Sequence, residues 1–324
     1  MAHEAIVTNQ PGDSVSIIDL DTMKSVAVIQ IGGKPAGVAV FSAKDVEKAY
    51  ITSPDSKELV EVDIVTKSVT RRIKIGDGPL GVAANPPKWE VYVADWYAHK
   101  ISVISAFPFA FVTDPQPQHK IVADDVPMTG ELHLTRELQP IAEIPVGQSP
   151  SGLAVTPDGK LLLSADRDSN QVSVIDIDSR KVIATVKTGE RPFGVTIDAE
   201  GRRAYTANVA SDDVTVIDIA SRAAVGTVKV GHRPYAVALA KGRGFVTDQY
   251  SGTVTVFDLA TLAPIKAIVA CDHPEGIEAT GSEDAVYAAC WGDNLLLRID
   301  PTTLTVTAKA ATGDGPRAFG KFLR

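Results

Sequence analysis

Tyr205-Thr206-Ala207-Asn208, Val214-Thr215-Val216-Ile217-Asp218 and Gly231-His232-Arg233-Pro234 follow one another in the second half of the chain, and together they decide the fold. The first two runs alternate with period two, which puts successive side chains on opposite faces of a strand. The third run is turn chemistry, with glycine and proline three positions apart. The whole stretch recurs. Asn208 has counterparts at Asn9, Ser53, Asp95, Asp166, Asp248 and Cys290, and Pro234 has counterparts at Pro35, Pro79, Pro150, Pro192, Pro274 and Pro316. Strand end and proline stand 26 residues apart in six of the seven units and 55 apart in the third, so 29 extra residues separate Asp95 from Pro150.

Each unit reads as four strands: a Gly-Val-Ala-Val-like run after the proline, a turn such as Pro157-Asp158-Gly159, the Tyr-Thr-Ala-Asn run, the Val-Thr-Val-Ile-Asp run, and a final run such as Val182-Ile183-Ala184-Thr185-Val186. Seven four-stranded units predict an all-β protein, a seven-bladed β-propeller of antiparallel blades forming one domain over residues 1–324. Gly37, Gly81, Gly152, Gly194, Ala236, Gly276 and Ala318, two positions after each proline, suit the innermost strand, where blades crowd the axis. The chain starts on the second strand of a blade and ends, after Pro316, on a first strand, so its C-terminal strand is expected to close the ring on the N-terminal blade.

The repeat, seen in Val172-Ser173-Val174-Ile175-Asp176 and in Gly147-Gln148-Ser149-Pro150-Ser151-Gly152-Leu153-Ala154-Val155 as well as in Tyr205–Asn208, resembles the YVTN family of β-propellers over essentially the whole chain. That resemblance implies the fold. It implies little about function, because the family motif is structural and its members are surface, periplasmic, DNA-binding and enzyme-associated propellers.

A net charge of −8 and a pI near 5.3 speak against a general binder of nucleic acid. No apolar run is long enough to cross a bilayer as a helix. With no secretory signal in the sequence as written and only two cysteines, a cytoplasmic location is expected. No phosphate-cradling loop, nucleophile elbow or metal motif occurs, and no cofactor or metal is expected.

In propellers the loops that flank the prolines and strand ends ring one mouth of the channel. The basic groups there are Lys34, Arg191, Arg233 and Arg317, with Arg167 and His232 nearby, which points to a small anionic ligand. The plainer alternative pairs these arginines with the strand-end carboxylates Asp95, Asp166 and Asp248. Phe193, Tyr235, Trp96 and Trp291, with Tyr97 and Tyr250, either wall a pocket or plug the channel. His273 and Glu275 supply an acid or base for proton transfer. With the arginines they are similar to the equipment of seven-bladed lactonases and lactonising isomerases, although no motif of theirs is matched residue by residue.

Cys271 and Cys290 each break the repeat, one replacing the glycine before the proline and the other the strand-end residue. A reactive thiol activated by His273, a disulfide, a soft-metal site made of both cysteines with His273, and small buried hydrophobes are all open for them. The extra segment, at about 107–138, falls between the third and fourth strands of blade three and offers a contact for a protein partner. Two functions therefore compete: binding of a small anion at the mouth, with or without lyase, isomerase or lactonase chemistry, and a protein-interaction scaffold. Single-stranded DNA binding is a third, which the acidic balance disfavours.

Overall fold

The computed structural model describes residues 3–106 and 140–324. Seven sheets, antiparallel throughout except where the C-terminal strand joins one of them, stand around one axis. Blade five is representative: Pro192–Ile197 lies innermost, followed outward by Arg203–Asn208, Asp213–Asp218 and Ala223–Lys229. The Tyr205 run pairs in register with the Val214 run (Tyr205 opposite Val216), as their shared period of two requires. In blade three, Lys100–Ser105 and Ala142–Pro145 are the third and outer strands, and they pair with each other. The segment expected at about 107–138 lies outside the described residues.

Second and third strands are buried on both faces, because each blade packs against two neighbours. Outer strands alternate between exposed and part-buried residues. Apolar residues gather in clusters between adjacent blades, such as Val214, Val216, Val237 and Phe257 between blades five and six.

Near the axis, backbones approach too closely for side chains. A Cβ on Gly81 would sit 1.7 Å from the carbonyl oxygen of Ser151, and one on Gly276 would sit 2.0 Å from that of Ala318. The hydroxyl of the second strand uses the same proximity. Thr8, Thr52 and Thr247 donate to the Ala36, Leu80 and Glu275 carbonyls of the next blade, at 2.8, 2.7 and 2.6 Å. The threonine of the repeat is thus a latch between blades.

The C-terminal segment closes the ring from both sides. Residues 316–324 run beside Glu4–Asn9, with bridges at Asn9–Pro316 and Ala5–Leu323 and with Ile6 N–H donating to the Phe322 carbonyl at 2.8 Å. Phe319–Lys321 also pairs, in parallel, with the inner strand of blade two. No helix among the described residues is long and apolar enough to cross a membrane.

Candidate functional site

In most blades the mouth loop is organised by its strand-end residue. Gly147 N–H donates to Asp166 Oδ2 at 3.1 Å, Gly231 N–H to Asp248 Oδ1 at 3.0 Å and Gly313 N–H to Asn9 Oδ1 at 3.1 Å. Asp95 accepts the N–H groups of Asp77, Gly78, Tyr97 and Ala98. Among the described residues arginines therefore do not pair with Asp95, Asp166 or Asp248, contrary to the plainer alternative the sequence offered. These carboxylates are fully buried and turned inward to main-chain N–H groups and hydroxyls. Burial pushes Asp248 up to about 6, and raises Asp166 as well, against the opposing pull of those hydrogen bonds.

The same geometry explains the cysteines. A Cβ built on Gly231 would lie 2.5 Å from Asp248 Cγ, and one on Gly313 would lie 2.5 Å from Asn9 Nδ2. The two positions touch in five of the other six blades, blade two with Gly32 and Ser53 being the exception, and in blade seven they are Cys271 and Cys290, joined as a disulfide with Cα atoms 5.9 Å apart. Of the alternatives for the cysteines the disulfide is the one found, and the free buried thiols, the reactive thiols and the metal site with His273 are corrected accordingly: both sulfurs are consumed in a staple that stands in for a hydrogen bond.

The rim cations differ in how far they are committed. Lys34 Nζ lies 3.3 Å from Asp13 Oδ2, Arg167 Nη1 lies 2.7 Å from Asp168 Oδ1, and His232 Nδ1 lies 2.9 Å from Asp212 Oδ2. Arg233 stacks on Tyr250 and donates to its hydroxyl at 2.8 Å. Arg191 is exposed, and its guanidinium has no partner among the described residues. His273 bonds Asp272 at 2.6 Å and stands edge-on between Tyr250 and Trp291.

Below the rim the mouth is shut. Phe193, Tyr235 and Phe319 pack with ring centroids 4.6 to 5.4 Å apart, and Trp96 lies against Phe193 at 6.4 Å. Phe193 and Tyr235 are buried, so they form a plug and not the wall of an open pocket. Arg317 is spent in the same layer. Its Nε donates to Tyr235 Oη at 2.7 Å, its Nη1 to Gln10 at 2.9 Å, and Glu275 Oε2 sits 3.1 Å from Nε. Gln249 holds the other Glu275 oxygen at 2.6 Å. Burial raises the Glu275 carboxyl, with Arg317 opposing. Glu275 thus belongs to a buried ion pair in the plug, whereas His273 belongs to the exposed rim.

Under the plug the channel widens into a cavity of about 510 Å³ that opens at the opposite face, among the turns around Pro157, Ala199, Gly242 and Gly281. Its walls are the inner strands. Four positions after each proline, the lining residue is Ala39, Ala83, Ala154, Thr196, Ala238 or Gly320, and in blade seven it is Glu278. Glu278 Oε2 accepts the N–H groups of Phe322 and Leu323 at 2.5 and 2.8 Å, while Oε1 makes no hydrogen bond among the described residues and the residue lines the cavity. Burial pushes this carboxyl up to about 7, with Lys321 and the two N–H groups opposing. The signal was present in the sequence, since a glutamate occupies a register position that is small in the six other blades.

Comparison with known proteins bears mainly on the fold. The model of the family described as Lactonase, 7-bladed beta-propeller matches residues 118–225, about a third of the chain. The architecture is that of a seven-bladed propeller. No curated protein matches the sequence. Among solved structures, hydrazine synthase of Kuenenia stuttgartiensis is similar at 18% identity over 90% of each chain, with a TM-score of 0.72. A functionally unknown protein from Desulfotomaculum acetoxidans is similar at 16% identity over 98% of each chain, with a TM-score of 0.76. The dihydro-heme d1 dehydrogenase NirN, solved in complex with DHE, is 15% identical over 97% of this chain and 64% of that one, with a TM-score of 0.65. At such identities the likeness is one of fold.

Proposed function

We propose that this protein is a propeller that binds a small molecule in its central channel, entering from the face opposite the Gly-x-x-Pro loops. The observation that carries this reading is Glu278, a part-buried carboxylate with one oxygen that makes no hydrogen bond among the described residues, on the wall of a largely apolar cavity. A cavity of 510 Å³ lies within the range that small ligands fill, and a few polar groups among apolar walls are what fixes a ligand's orientation. A carboxyl near 7 is also suited to act as a general base, so turnover of a lactone or a related carbonyl compound is the enzymatic form of the same reading. The partial match to the lactonase family supports that form.

A second reading keeps the small anion at the mouth. It is favoured by Arg191, whose guanidinium is exposed and unpaired among the described residues. Thermal-shift measurements on wild type, Ala154→Trp and Arg191→Ala against carboxylates, phosphates, amines and lactones separate the two. A stabilisation lost in the channel-filling variant and kept in Arg191→Ala supports the channel; the reverse pattern overturns it in favour of the mouth.

The disulfide bears on location. Such bonds persist where the surroundings are oxidising, so we place the protein in an oxidising compartment in preference to the cytoplasm expected from the sequence.

A further inference from the structure

Glu278 has a companion that breaks the repeat in the same way. Five positions after the prolines the chain carries Val40, Ala84, Val155, Ile197, Leu239 and Ala279, and on the ring-closing strand it carries Lys321. Glu278 and Lys321 therefore place the only charges found at these two register positions on neighbouring inner strands, and both line the cavity.

They do not bridge each other. No ion pair within 4 Å joins them, yet the Lys321 charge is felt at the Glu278 carboxylate. Lys321 Nζ has no partner among the described residues. Phe322 and Leu323 N–H both fix Glu278 Oε2 and leave Oε1 without a hydrogen bond among the described residues, on a residue that lines the cavity. The remaining lining carboxylates are committed: Asp198 accepts the Arg202 and Arg203 N–H groups, Glu200 pairs with Arg202 at 3.5 Å, and Glu283 accepts the Lys241 N–H.

A carboxylate partly withdrawn from water is costly unless something charged or hydrogen-bonding meets it, whereas the Lys321 ammonium is exposed and free to meet an anion. A cation alone would satisfy Glu278 and repel Lys321, and an anion alone would do the converse. We propose, resting on the channel reading above, that the ligand is a small zwitterion of the amino-acid type, with its ammonium on Glu278 Oε1, its carboxylate on Lys321 Nζ and its side chain against the small-residue walls.

The test is calorimetric titration of the full-length, disulfide-intact protein with the common L-amino acids. The best of them is then compared with its methyl ester, which keeps only the cation, its deamino acid, which keeps only the anion, and its deamino amide, which is uncharged. The zwitterion is expected to bind at least tenfold more tightly than any of the three. Glu278→Gln is expected to weaken the amino acid at least tenfold and leave the deamino acid unchanged. Lys321→Met, on an exposed side chain with no hydrogen bond or ion pair among the described residues, is expected to weaken the amino acid and leave the ester unchanged. Equal binding of the zwitterion and either single-charge analogue overturns the inference, as does unchanged affinity in Lys321→Met. If only the uncharged amide binds, and Ala154→Trp abolishes it, the channel reading stands and the zwitterion fails. If no probe binds, both fail.

Discussion

Replacing Cys271 and Cys290 by alanine removes a cross-link between residues 19 apart in sequence, and the structure sets the size of the effect. In the chain-entropy view, a loop of that length constrains the unfolded chain by about 3 kcal/mol. Over 324 residues, with an unfolding entropy of about 2.1 cal/mol/K per residue, that loss lowers Tm by about 4 °C. A second variant tests the structural equivalence itself. Cys271→Gly with Cys290→Asn recreates the pair of blade one, where Gly313 N–H meets Asn9 Oδ1 at 3.1 Å. One such buried hydrogen bond contributes about 1 kcal/mol, so this variant should melt above the alanine pair and below the oxidised wild type. Urea titration and thermal melts of the three proteins, with the wild type also reduced, provide the assay. An alanine pair as stable as the oxidised wild type would refute the staple, and a glycine–asparagine pair no better than alanine would refute the equivalence of blade seven with the others.

Two further outcomes are expected. Glu278 is raised from an ordinary 4.5 to about 7 in the folded state, so its contribution is fully present below 4.5 and is lost as pH rises through 7; Asp248, at about 6, acts with the same sign. Urea unfolding should therefore give a higher stability at pH 5 than at pH 8, with Glu278 responsible for at most about 3 kcal/mol, and Glu278→Gln should flatten the slope; an unchanged slope refutes the assignment. Deleting residues 317–324 removes the buried Phe322, the contacts of Ala318 with Gly276, and the main-chain bonds to Thr8, Ile6 and Glu4, so the ring should open and Tm should fall steeply. A truncated chain with the wild-type melting curve would show that closure is carried elsewhere.

Seven blades, four strands to a blade and closure by the C-terminal strand were all legible in the sequence, because each rests on local period and on the register of repeated glycines, prolines and strand ends. Propensity and turn chemistry act over a few residues, and a repeat writes them seven times. Glu278 and Lys321 were legible in principle by the same register that exposed Cys271 and Cys290. The sequence points to the mouth instead, because its cations and aromatics cluster there and nothing linear says which end of the channel is open. That was decided by tertiary packing. Phe193, Tyr235 and Phe319 come from three different blades and meet only when the ring closes, and Arg317 reaches Tyr235 across 82 residues and Gln10 across 307. Whether Cys271 and Cys290 bond, whether an arginine is spent or free, and where the empty space lies depend on distances between segments far apart in the chain. Those distances are set by the closing of the ring, and no local pattern of residues encodes them.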